Sequence, residues 1–155
     1  MRSPPSFFCK LPLAFLTGGL LVLGAMELPA ALAPRSQKQL QAQSELIVTG
    51  KVVAVESRVQ KSRVERAFGI HRDKVFTLTI KVAFISKGTG VKADQKIRVV
   101  AWQPVLRIPR LPGLQGHGPI PGKGETVTMY LKWNKAEKLW EPILPNGIEI
   151  KKEAP

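Results

Sequence analysis

His71 and His117 are the two side chains best suited to metal binding or proton transfer, and they stand 46 positions apart in different loops. Asp73 lies beside the first, and no acid lies beside the second in the chain. A zinc or copper site needs further ligands at matching spacing, and the sequence offers none. His71 is therefore expected at the surface, and His117 packed within a Gly/Pro-rich loop. The 11 acids are scattered singly, most of them beside a basic residue. Glu141 and Glu149 read as strand-end salt-bridge partners rather than an acid/base pair. Ser57, Ser62 and Ser86 lack the strained elbow that exposes a nucleophilic serine. Lys87-Gly88-Thr89-Gly90 follows a strand, but no helix opens after it, so it reads as a turn and not a phosphate loop. No catalytic residue, metal or cofactor is expected, and a hydrolase is the third-ranked reading.

Charge is the stronger signal. Lys and Arg number 24 against 11 Asp and Glu, a formal net charge of +13. A field of that sign attracts polyanions, although scattered charge also serves solubility alone. The connection from Ser57 to Asp73 carries Arg58, Lys61, Arg63, Arg66 and Arg72. The loop from Pro104 to Gly124 carries Arg107, Arg110 and Lys123 and no acid. If these two loops meet at one end of the barrel they form a positive rim, with Arg58, Lys61, Arg63, Arg66, Arg72, Arg107 and Arg110 as the candidate anion-binding residues. Trp102 and Tyr130 are candidates for an exposed stacking surface, and Trp133 is expected in the core. Arg107 and Arg110 alternate with Leu106, Ile108, Leu111 and Leu114. That pattern suits docking to a partner or membrane, or a loop folded back over an open barrel end.

The elements that must position these residues are strands. Leu46 to Val55 is rich in β-branched residues, and Gly50 within it marks a bulge or bend. Phe76, Leu78, Ile80, Val82 and Phe84 alternate with polar or small residues, which predicts a half-buried strand with those five inside. Ile97, Val99 and Ala101 give the inner face of a third strand. Val127, Met129, Leu131 and Trp133 give that of a fourth. Leu139 to Leu144 and Ile148 to Lys151 are two short strands flanking the Pro145-Asn146-Gly147 turn. Arg58 to Phe68 is open to a helical turn or two. Pro104 to Gly124 holds five Pro and five Gly and is expected to be irregular. The fold class is all-β: a small five- to six-stranded antiparallel barrel of the OB-like kind, preceded by a hydrophobic leader helix.

That leader comprises residues 1–33. Arg2 and Lys10 precede an uncharged run from Leu11 to Met26, short for a bilayer span and right for a signal segment. Ala31-Leu32-Ala33 has the small-x-small form of a cleavage site, but Pro34 disfavours cleavage there. A removed signal peptide and an uncleaved anchor through residues 11–26 both remain open. Residues 34–44 read as a polar linker or frayed helix, and 45–152 as the barrel domain. The only cysteine, Cys9, lies in the leader, so a processed chain has no thiol for disulfides or zinc.

Leu46-Ile47-Val48-Thr49-Gly50-Lys51-Val52 resembles the first strand of exported OB-like domains. The Lys87-Gly88 turn, the Lys96-Ile97-Arg98-Val99 strand and Gly124-Glu125 leading into Val127 to Leu131 extend that likeness. Together they resemble the netrin-like barrel of tissue inhibitors of metalloproteinases over about Glu45 to Ile150. Gln115-Gly116-His117-Gly118-Pro119-Ile120-Pro121 and Leu144-Pro145-Asn146-Gly147-Ile148-Glu149 resemble segments of small bacterial exported proteins of unknown function. The netrin-like resemblance implies a barrel. It does not carry over protease inhibition, because the body lacks the cysteines that mechanism uses.

The expectation is an exported, basic, non-enzymatic module of the periplasm, cell envelope or extracellular space. It binds a protein partner or an envelope polyanion. The runner-up is a membrane-tethered structural or accessory subunit. Export argues against nucleic acid as the natural target.

Overall fold

A computed structural model describes residues 32–62, 69–110 and 115–151. The apolar run 11–26, Cys9, Arg63, Arg66, Leu111 and Leu114 lie outside the described residues. The elements are α1 (Gln37–Gln43), β1 (Leu46–Lys61), β2 (Ile70–Lys87), β3 (Lys96–Ile108), β4 (Thr126–Asn134), β5 (Leu139–Pro142) and β6 (Ile148–Lys151). The strands form one six-stranded sheet in the order β1-β2-β3-β5-β4-β6, with an additional β1–β4 pairing. The protein is mostly β, as expected. The sheet is mixed rather than antiparallel throughout, because β3 and β5 pair in parallel at Val99 and Trp140. The cause is local. Residues 135–138 turn β5 back antiparallel to β4, and β5 then meets β3 with that direction already set.

β1 is the hinge of this arrangement. Its first residues, Leu46 to Lys51, pair with β4, and from Ile47 to Lys61 it also pairs with β2. Both edges are occupied around Gly50, where the β1–β2 register shifts. A Cβ at Gly50 would collide with the carbonyl oxygen of Lys81. Only glycine lets the two backbones approach this closely, as its position within a β-branched run suggests.

The main core is Leu46, Val48, Val52, Leu78, Ile80, Val82, Ile97, Val99, Ala101, Val127, Met129, Leu131 and Ile148. Phe76 is half-buried against it. Phe84, expected inside, is 62% exposed. The register skips Ala83 between Gly50–Val82 and Thr49–Phe84, so the bulge reverses the inward phase and Ile85 takes the inner side. Trp133, also expected in the core, is 40% exposed and packs edge-on against Trp140 at 5.1 Å.

Within the polar stretch 34–44, expected as a linker or frayed helix, Gln37–Gln43 forms a seated helix. Ser36 caps α1 in a reciprocal capping box with Gln39. Leu40 packs into a second small core with Ile47, Tyr130 and Ile143. Arg35 N–H donates to Asn146 Oδ1 at 2.9 Å, and Arg35 Nε donates to Leu144 O at 2.8 Å. This helix covers the outer side of β4. Tyr130, expected at the surface, is therefore buried.

Two further expectations change. Residues 58–61 continue β1, so no helical turn begins at Arg58. Pro104 to Ile108 continues β3 instead of starting the irregular loop. Pro104 is tolerated there because it stands at the register shift opposite Asp73.

Candidate functional site

The 115–118 segment lies along the edge of β3 and carries His117 inward. His117 N–H donates to Trp102 O at 2.8 Å, and Trp102 N–H donates to His117 Nδ1 at 3.1 Å. Because Nδ1 accepts, the proton sits on Nε2, which donates to Pro142 O at 2.9 Å. The ring also meets Trp102 edge-on at 6.0 Å. Burial pushes the His117 pKa below its ordinary 6.5, against the raising effect of its Pro142 bond and of Glu141 nearby. Glu141 is the acid that the chain order hid. Its carboxylate accepts from Asn134 Nδ2 at 2.8 Å. The expected packing of His117 is what the structure contains: a neutral ring tying β3 to β5. A cleft of about 380 Å³ opens beside it between Pro34, Gln103, Pro104, Gly116 and Asn146.

His71, expected at the surface, is buried. It faces Arg107 in the β2–β3 register, beside Asp73. Arg107 and Asp73 form a short, buried ion pair. The remaining guanidinium donors reach Gln115 Oε1 at 3.0 Å, Arg72 O at 2.8 Å and Leu106 O at 2.9 Å. Arg107 is thus committed to partners within its own fold and does not stand on an open rim. Among the described residues no group of three His, Cys, Asp or Glu side chains could hold a metal ion.

The other candidate cations are distributed as follows. Lys61 and Arg72 are register partners on β1 and β2. Arg58 is exposed and pairs in register with Val75, on the opposite face of the same strands. Arg110 is exposed just after β3. Lys61 and Arg72 come together, Arg58 and Arg107 face away from them, and Arg63 and Arg66 lie outside the described residues.

A different cationic group was missed. Lys51 stands opposite Lys81, and Lys81 stands opposite Lys96. On the other edge of β1, Lys51 stands opposite Thr126, whose β6 partner is Lys151. Adjacent strands lie about 4.8 Å apart, so three lysines on one lateral row are closely spaced like charges. Asp94 bonds Lys81 at 3.1 Å, with both side chains largely exposed. Arg98, opposite Thr79, extends the basic side of β3 by one row. The lysines occupy wet positions in strand patterns that the sequence displays. Their alignment depends on a register between strands that the sequence does not.

The chain matches no protein-family model, no curated protein and no solved structure.

Proposed function

We propose that this is an exported, non-enzymatic basic module, an OB-like barrel in architecture, that binds an envelope polyanion along the Lys51–Lys81–Lys96 row. The barrel reading is supported by the cycle of pairings β1-β2-β3-β5-β4-β1, with its parallel β3–β5 contact. The export reading is supported by the Arg2/Lys10-flanked apolar run. The single observation that carries the binding reading is the lysine row. Like charges directly opposite in a sheet cost stability, and a polyanion relieves that cost while releasing its counterions.

The test is retention on a heparin-type resin. Lys51→Ala, Lys81→Ala and Lys96→Ala together remove three charges. So do Lys38→Ala, Lys132→Ala and Lys135→Ala, which are exposed elsewhere. The first triple variant elutes at clearly lower salt than the second. Equal elution would mean that retention reads bulk charge, and the row would then have no role.

A further inference from the structure

Beyond the main core, β1, β2 and β3 continue together as a three-stranded arm, from Val59–Lys74 pairing to Ile70–Ile108. Directly opposed residues in a ladder share a face, and so do alternate residues of one strand. One face of the arm therefore carries Val59 and Lys61 from β1, Ile70, Arg72 and Lys74 from β2, and Leu106 and Ile108 from β3. Val59, Ile70, Leu106 and Ile108 are between 39% and 59% exposed. Among the described residues no acid stands on this face. Asp73 and His71 are buried on the other side, where Asp73 and Arg107 close on each other. Arg72 bonds its neighbour His71 O and stays on the apolar-basic face.

We propose that this face of the arm docks on an anionic lipid bilayer. Apolar side chains interleaved with cations match the boundary between acidic headgroups and acyl chains. The course of the chain places the arm there. Pro34 shares a cleft with Gln103 and Pro104, at the root of the arm on β3. Only residues 27–33 separate Pro34 from the apolar run ending at Met26. Seven residues span at most roughly 25 Å, so a membrane-held leader keeps the arm within reach of the surface. The lysine row is a separate site, and this inference rests only on the export reading of the leader.

The full-length chain with Cys9→Ser provides a background for single cysteine probes at Ile70, Leu106 and Thr128. Each carries a fluorophore, and vesicles carry a lipid-borne quencher. With vesicles containing phosphatidylserine, probes at Ile70 and Leu106 are quenched, and the Thr128 probe on β4 is not. Neutral phosphatidylcholine vesicles give far weaker quenching at Ile70 and Leu106. Replacing Lys74 by Ser reduces the anionic preference by about five-fold at low salt. Quenching no greater at Ile70 and Leu106 than at Thr128 overturns the docking, whether or not the leader holds the chain on the vesicle. Shielding of Ile70 in lipid-free protein that grows with protein concentration assigns the face to a second copy, and also overturns it. Export of a reporter fused after Ser44 tests the leader independently, so the two failures are distinguishable.

Discussion

Two halves of β2 show opposite relations between pattern and burial. In the upper half, Leu78, Ile80 and Val82 are buried, while Thr77, Thr79 and Lys81 on the other face are half-buried or exposed. In the lower half the even positions Ile70, Arg72 and Lys74 are exposed or half-buried, and the odd positions His71, Asp73 and Val75 are buried. From Ile70 to Val82 the strand keeps its period of two. What changes is which face the rest of the chain covers. Around the upper half, β4 and β6 supply Val127, Met129 and Ile148 to the inner side. In the arm, Gln115 reaches Arg107 on the other side. Alternation reports which residues share a face. It does not report which face becomes the interior.

The two halves should respond differently to the loss of one side chain, and the arm should show the largest single effect. Arg107→Met leaves Asp73 buried without its charge partner, which costs about 3–5 kcal/mol. Replacing Asp73 and Arg107 together by Leu removes both charges and restores most of that loss. Urea unfolding of the two variants checks this. If the double variant is no more stable than the single one, the pair does not act as a unit.

The upper half depends on apolar volume. Ile80→Ala removes a fully buried side chain and should cost about 2–5 kcal/mol. Ile70→Ala, on the same strand face in the arm, should fall within about 0.5 kcal/mol of the parent. Comparable losses at the two positions, read from the same unfolding curves, would show that the arm face is covered in the free protein.

Much of the upper half was legible in advance. Leu78, Ile80, Val82, Val99, Val127, Met129 and Leu131 all stand inside, because each lies in a run whose period and burial agree. Phe84 was misread because the skipped Ala83 reverses the phase, and such a bulge leaves no mark in composition. Tyr130 was misread because the segment that covers it was read as a linker or frayed helix with no seat on the sheet. Ser36 and Gln39, three residues apart, carried the capping signal that would have found that helix. The β3 side of the arm was read as irregular because Pro104 opens a stretch holding five Pro and five Gly, and the β1 side from Arg58 was read as open to a helical turn. The His71–Arg107 and Lys51–Lys81–Lys96 alignments join residues 15 to 36 positions apart. Register set them, through the bulges at Thr49/Gly50 and Arg72/Asp73.

The seam between the two halves gives the finest test. At Trp102 the edge of β3 is no longer paired by β5 and is taken instead by the 115–118 segment. His117 makes this join as a neutral ring: Nδ1 accepts from Trp102 N–H, and Nε2–H donates to Pro142 O. A second proton would have to sit on Nδ1, facing another N–H in a buried setting. The folded pKa therefore lies below the ordinary 6.5, with burial as the leading cause. Between the two values the unfolded chain binds more protons than the folded one. The stabilisation is thus fully present above about pH 6.5 and declines as pH falls from there towards the lowered folded value, with a slope of at most about 1.4 kcal/mol per pH unit. His117→Gln offers the same donor and acceptor types without titrating in this range. Subtracting its stability-versus-pH curve from that of the parent isolates the contribution of His117 from all other groups. A flat difference between pH 5 and 7 would mean that the ring keeps its ordinary pKa, and that the seam does not depend on its being neutral.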